Sequence, residues 1–226
     1  MIVSVIPARG GSKAIPKKNV IPFLGQPLIS YTIQQSINSK HIDRTYVSTD
    51  DDHISEISRK AGAEIINRPD KLARDTSSTE EALLHAIESI PDTPEIIVLL
   101  QCTSPLRREK DIDEAIQLVT NDCYDSVLSC CEDHSFYWTY ENDSAKAVNY
   151  DPSERKRRQD LDRWYQENGS IYVMKREILK EEQCRLGGSI GVHEMPKEMS
   201  FEIDTPEDYR IVESLGKNIE FAAKEH

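Results

Sequence analysis

Short apolar runs alternate with helically spaced apolar positions over the first part of this chain. Residues 2–7 form a β-branched run closed by Arg9-Gly10-Gly11, which predicts a buried strand leading into a loop. Leu28, Ile29, Ile33 and Ile37 recur at helical spacing across residues 27–37. Residues 44–48 predict a second strand, 52–61 a helix ended by Gly62, and 64–66 a short third strand. Residues 78–90 predict a helix capped by Ser78 or Thr79, with Leu83, Leu84 and Ile87 on one face. The run Glu95-Ile96-Ile97-Val98-Leu99-Leu100 is apolar without alternation, as expected of a central strand covered on both faces of a parallel sheet. A helix over 110–119 and a strand over 126–129 complete a βαβαβαβαβ order. That order predicts an α/β fold with a doubly wound, mainly parallel sheet. Ligands of such sheets bind beyond the carboxyl ends of the strands, here just after Pro7, Ser48, Leu100 and Val127.

The pattern breaks from residue 132 to 164, a polar and aromatic stretch with a basic run, Arg155-Lys156-Arg157-Arg158. A loop of this length without elements of its own is uncommon in a compact domain, so it reads as a small protruding arm that packs on another subunit. Its aromatics Phe136, Tyr137, Trp138 and Tyr140 would be costly to expose on a monomer, which predicts a homodimer. Strands are predicted again over 171–174 and 201–203. Thr205-Pro206-Glu207-Asp208, a cap residue followed by proline and early acids, opens a C-terminal helix. The 226 residues suit one domain with the arm inside it.

Charge changes the picture next. The formal net charge of −12 argues against general affinity for nucleic acid or anionic membranes, so a basic cluster stands out. No apolar stretch reaches the length of a membrane span. The apolar start precedes Arg9, Lys13, Lys17 and Lys18, the reverse of a signal peptide, and predicts a first strand in a cytoplasmic protein. Five cysteines without a C-x-x-C pair read as free thiols, and the six histidines show no zinc spacing.

Four clusters carry candidate chemistry. Arg9-Gly10-Gly11-Ser12-Lys13 through Lys18-Asn19 follows the first strand; its glycines permit close backbone approach and its cations can surround a triphosphate. It matches neither a Walker A loop nor a dinucleotide fingerprint, and a solvated basic turn is the alternative. Gln101 to Arg107 follows the central strand, where Gln101 offers both a donor and an acceptor; a helix-entry turn is the alternative. Glu202-Ile203-Asp204 projects two carboxylates to one side if extended, a hard-oxygen pair suited to Mg²⁺, unless Asp204 caps the following helix. Arg157-Arg158-Gln159, with Tyr165, Asn168-Gly169 and Tyr172, offers a guanidinium fork for a carboxylate, or a solvated face.

In this order the segments resemble the CMP-sialic acid synthetase (acylneuraminate cytidylyltransferase) family. The resemblance rests on Ala8 to Lys13 with Lys18-Asn19, on Arg68-Pro69 through Leu72-Ala73-Arg74-Asp75-Thr76, and on Leu99 to Arg107. Arg157-Arg158-Gln159-Asp160 with Glu167 to Tyr172, and Phe201 to Thr205, complete it. It runs along nearly the whole chain, and an ordered set of motifs is more specific than any one of them. It implies a nucleotide-diphospho-sugar transferase fold and transfer of CMP from CTP to the anomeric hydroxyl of an acidic nine-carbon sugar, with a divalent metal, Mg²⁺ or Mn²⁺. Arg9, Ser12 and Lys13 would hold phosphates, with Gly10 and Gly11 shaping the loop and Lys18 at the reacting phosphate. Asn19, Arg68 and Thr79 would line the nucleotide side. Gln101, Arg158 and Tyr172 would contact the sugar, and Glu202 and Asp204 would bind the metal. Glu202 departs from the Asp common in the family, which makes direct ligation there less secure than at Asp204. Other readings are an enzyme for 3-deoxy-octulosonate, a cytidylyl- or guanylyltransferase for legionaminic or pseudaminic acid, and a non-catalytic nucleotide-sugar sensor.

Overall fold

The structure, a computed structural model, describes residues 1–121, 124–160 and 162–224, with side chains described throughout except at 158 and 220–224. In chain order its elements are β1 (Ile2–Pro7), β2 (Pro22–Phe23), β3 (Gln26–Pro27), α1 (Leu28–Asn38), β4 (Arg44–Thr49), α2 (Asp52–Lys60), β5 (Glu64–Asn67), α3 (Thr79–Ser89), β6 (Ile96–Leu100), α4 (Glu109–Thr120) and β7 (Ser126–Asp133). There follow β8 (Trp138–Glu141), β9 (Ser144–Ala147), β10 (Trp164–Lys175), α5 (Arg176–Glu181), β11 (Ile190–Glu194) and α6 (Pro206–Lys224).

Seven strands form the main sheet in the order β11-β7-β10-β6-β1-β4-β5. All neighbours run parallel except β10, which is antiparallel to both β6 and β7. The period of two along each strand divides the core. Ile6, Val98, Leu100 and Val127 face α1, α2, α4 and α6, while Val3, Val5, Ile97 and Leu99 face α3 and α5. Both faces are covered, which is why β6 reads as an uninterrupted apolar run.

From β1 the chain crosses to β4 and β5 on one side, then returns to β6 on the other. The parallel order therefore reverses between β1 and β6, and their carboxyl ends leave loops that diverge, opening a crevice. Because β10 runs the opposite way, with Ile171 opposite Leu100, the residues preceding Ile171 lie at this same edge.

Two sequence expectations need correction. Residues 201–203 do not join a ladder; the segment is extended, but Ile203 N–H donates to Thr103 O at 2.8 Å instead. The edge strand β11 went unpredicted, because Gly191 and the polar His193 interrupt its apolar signal. Within residues 132–164, β7 runs on to Asp133, and β8 and β9 form a separate hairpin whose tip, Asn142-Asp143, has φ of 49° and 59°. Both tip residues tolerate the left-handed region that a two-residue hairpin turn demands. The hairpin leaves Trp138 and Tyr140 52% and 71% exposed, beside half-exposed Tyr137, Trp164 and Tyr165.

Candidate active site

The loops after β1 and β6 meet over a cleft of about 280 Å³, lined among others by Arg9, Lys18, Asn19, Arg68, Asp75, Thr79 and Gln101. Each side chain has a local cause for its place. Lys17 adopts the left-handed conformation, φ 55°, a costly turn for a side-chain-bearing residue, directly before Lys18. Asn19 Nδ2 donates to Arg9 O at 3.0 Å, pinning the loop on itself. Gly10 N–H donates to Asp50 at 3.0 Å, and a Cβ at Gly10 would sit 2.7 Å from Asp51 Oδ2, so packing demands this glycine. A Cβ at Gly11 would meet nothing within 4 Å.

Arg9 and Lys13 converge on one carboxylate, Asp75, at 2.9 and 2.6 Å. The Lys13 bond and, after the opposing cost of burial, the charges of both cations hold Asp75 below the usual carboxylate range. Arg68 is buried, donating to Ser48 Oγ at 3.1 Å. Burial pulls its guanidinium below the usual value, against the nearby charge of Asp50. Ser78, rather than Thr79, caps α3, in a capping box with Glu81, so the amino end of α3 opens at the cleft with Thr79 as its first residue. Gly10, Gly11, Ser12 and Lys13 do not line the cleft themselves; Lys13 reaches it through Asp75.

A second cleft, about 260 Å³, is lined by Gln166, Glu167, Asn168, Lys197, Ser200, Phe201, Glu202 and Asp204. Lys18 Nζ donates to Asp204 Oδ1 at 2.9 Å, so one ion pair joins the two clefts. Asp204 is not the cap of α6. Thr205 Oγ1 accepts from Asp208 N–H at 3.2 Å, and the Asp208 carboxylate accepts from the N–H groups of Asp204 and Thr205. The Asp204 side chain is thereby free for other work.

Glu202 is half-buried against the backbone of Gly169, whose φ is +62° and whose Cβ, were there one, would overlap Glu202 Oε1. Burial, then the charge of Asp204, lift its carboxyl to about 7, with Lys18 opposing. Gly169 lies where the β7–β10 register shifts between Glu167 and Tyr172. Asn168 secures that irregularity: its Oδ1 accepts from Ser129 Oγ at 2.6 Å and its Nδ2 donates to Ser200 Oγ at 3.0 Å.

The three residues expected at the sugar are not gathered in one cleft. Gln101 lines the Arg9–Lys18 cleft. Tyr172 is 3% exposed, its hydroxyl donating to Glu167 and its ring 5.0 Å from the Arg185 guanidinium. Burial, then the Glu167 carboxylate, push its phenol well up. Arg158 is in a short 3₁₀ turn, and its side chain lies outside the described residues.

Arg107 carries a role that its position in the sequence did not announce. It is 2% exposed, and its guanidinium donates to Gln35 Oε1 at 3.0 Å, Thr32 Oγ1 at 2.9 Å and the carbonyls of Gln101 and Ser170. It holds the Gln101 turn to the β10 irregularity, and burial pulls its guanidinium down to about 10. Cys102, in the same turn, has a thiol pushed up by burial to about 12, which keeps it protonated and unsuited to attack.

A family model described as Cytidylyltransferase matches residues 3–225. The N-acylneuraminate cytidylyltransferase of Oncorhynchus mykiss is 33% identical over 216 residues, 94% of this chain and 49% of that protein. That of Streptococcus agalactiae serotype III is 32% identical over 212 residues, 92% of this chain and 51% of that protein. The chain thus spans about half the length of the curated relatives it matches. Among solved structures, CMP:2-keto-3-deoxy-manno-octonic acid synthetase complexed with CTP superposes with a TM-score of 0.71 at 21% identity, over 96% of this chain and 98% of that one, a likeness of fold.

Proposed function

The chain belongs to the cytidylyltransferase family, and from that premise we propose that it transfers CMP from CTP to the anomeric hydroxyl of a nine-carbon sialic-type acid, releasing pyrophosphate. The observation that carries this reading is the Lys18–Asp204 pair at 2.9 Å, which joins a cation-rich cleft at the β1/β6 switch point to a second cleft ending at Glu202. Two substrates brought to one junction is the arrangement that group transfer between them requires. The relatives' names support the nine-carbon acid, and the Gln101-Cys102-Thr103-Ser104-Pro105 turn favours it over the eight-carbon 3-deoxy-octulosonate.

In this reading Arg9 and Lys13 exchange Asp75 for the triphosphate, and the amino end of α3 adds its N–H dipoles. Lys18 neutralises charge at the α-phosphate, where the transition state gathers it. Asn19, through Arg9 O, fixes the first loop on itself, and Arg107, through Gln101 O and Ser170 O, fixes the second to β10, so each loop presents its groups preorganised, which is the entropic share of the rate. Glu202 and Asp204 are the donor set for Mg²⁺ or Mn²⁺. The test of fit is the donor set: both carboxylates line the second cleft and offer the hard oxygens that a divalent cation takes, and burial, then the charge of Asp204, lift the Glu202 carboxyl to about 7. Bound there, the cation supplies charge neutralisation to phosphate oxygens. Arg158 is the proposed fork for the sugar carboxylate, with Gln101 reading hydroxyls and the buried Tyr172 acting through Glu167, its hydrogen-bond partner on the second cleft.

The proposal extends to the assembly. The segment 132–164 is a dimerisation arm within a single 1–226 domain, supported by the exposure of Trp138 and Tyr140 on its hairpin. The free thiols of Cys102, Cys130, Cys131 and Cys184 support a cytoplasmic enzyme.

Pyrophosphate release measured with CTP, GTP and ATP against nine-carbon and eight-carbon acids tests the whole reading. The expected result is turnover with CTP and a sialic-type acid that excess chelator stops. Faster turnover with GTP, or with 3-deoxy-octulosonate, would replace the substrate assignment. Nucleotide-sugar binding without pyrophosphate release would make the chain a sensor.

A further inference from the structure

Away from both clefts, α4 carries Asp111 and Glu114 three residues apart, hence on one face, and β11 brings His193 against them. One ligand atom from each lies within 4.8 Å of the other two. None of the three lines the clefts described above. His193 is 7% exposed, and its Nε2 is buried without a hydrogen-bond partner. Asp111 Oδ1 lies 3.7 Å from it, beyond hydrogen-bond reach though within ion-pair range of a protonated ring. A buried ring nitrogen without a hydrogen bond is costly, and here it faces a carboxylate that is itself 1% exposed.

We propose that Asp111, Glu114 and His193 form a second cation site, selective for a borderline metal such as Zn²⁺, that clamps helix α4 to the edge strand β11. An imidazole with two carboxylates suits Zn²⁺, whereas Mg²⁺ prefers oxygen ligands alone and retains its waters. Arg108 already donates to Asp111, Nε to Oδ2 at 3.2 Å and Nη2 to Oδ1 at 3.0 Å. Each carboxylate oxygen accepts two bonds, so Oδ1 keeps capacity toward His193, and the Arg108 side chain, 47% exposed, can yield. Among the described residues Glu114 pairs with Lys110, at 3.3 Å across an open surface, and can swing inward to complete the site. With Zn–N and Zn–O bonds of about 2 Å the ligand atoms must close to roughly 3.3 Å, and the exposed Glu114 supplies most of that movement. The edge strand gains from the clamp, since Ile190 and Val192 leave one of its faces nearly half exposed.

The test titrates Co²⁺ and Zn²⁺ into the tag-free full chain with Mg²⁺ in excess. The wild type is expected to take up one Co²⁺ with visible d–d bands, and Zn²⁺ at about a hundredfold excess over its Kd should raise Tm by roughly 5–10 °C. His193→Gln should lose both signals with an unchanged far-ultraviolet circular dichroism spectrum, and Asp204→Ala should keep both. If His193→Gln does not fold, Glu114→Gln on the open surface should still weaken Zn²⁺ binding at least tenfold. Undiminished binding in His193→Gln or Glu114→Gln, loss of binding in Asp204→Ala, or no uptake by the folded wild type overturns the proposal.

Discussion

Gly169→Ala tests the contact between the backbone of β10 and the carboxylate of Glu202. The substituted residue would meet two obstacles. Its φ of +62° lies in the left-handed region, which costs an alanine roughly 1–2 kcal/mol. Its Cβ would also overlap Glu202 Oε1, and since ordinary contact begins near 3.4 Å the carboxylate must retreat by roughly 1.4 Å. Displacing a positioned group by about 1 Å can cost on the order of 100-fold in rate, so a loss of ~10- to 100-fold in turnover is expected. The backbone strain should lower Tm by only ~2–8 °C, and the protein should stay folded. Shortening the acid relieves the clash: Gly169→Ala with Glu202→Asp should turn over faster than Gly169→Ala alone, whereas Glu202→Asp in the wild-type background should gain nothing comparable. Pyrophosphate release and thermal denaturation of the four proteins form a double-mutant cycle. If Gly169→Ala keeps full activity, or if the two substitutions act additively, Glu202 is not positioned by this contact and the reasoning fails.

Asp204→Ala should lose at least ~100-fold in turnover with Tm nearly unchanged, because α6 is capped by Thr205 and Asp208 and not by Asp204; unfolding instead would show that the acid is structural. Asp75→Asn, measured by calorimetric titration with CTP, should tighten nucleotide binding by on the order of tenfold or less, since it releases Arg9 and Lys13 from two solvated ion pairs. Weaker CTP binding would place Asp75 among the groups that hold the nucleotide. Arg107→Lys retains charge but can satisfy few of the acceptors that the guanidinium reaches, and buried polar groups left unpaired cost about 1–3 kcal/mol each. Its Tm should fall by several degrees with kcat reduced more than KM, and an unaltered melting curve would contradict the bonding pattern.

Much of the fold and part of the site were determined by the sequence alone, because they depend on local periodicity and on residues close together in the chain. The apolar run at 96–100, the helical spacing at 28–37 and the turn residues between them dictate strands, helices and their βα order. That order by itself places Arg9 to Asn19 and Gln101 to Arg107 at strand ends. The tertiary structure decided what depends on contacts between distant residues. The reversed direction of β10 comes from pairing with β6 and β7, and it alone brings Gly169 against Glu202. Residues 201–203 are extended, as their pattern implied, yet the Ile203 N–H donates to Thr103 O in the turn after β6 and not to a strand. Arg107 looks like an exposed cation in the sequence, and only the five acceptors from α1, the Gln101 turn and β10 explain its burial. The same holds for Asp204, whose neighbours in sequence suggest a helix cap. Its choice of Lys18 over that cap was settled because Thr205 Oγ1 had already taken the Asp208 N–H in the first turn of α6, and a backbone donor once paired has nothing left to offer a second acid.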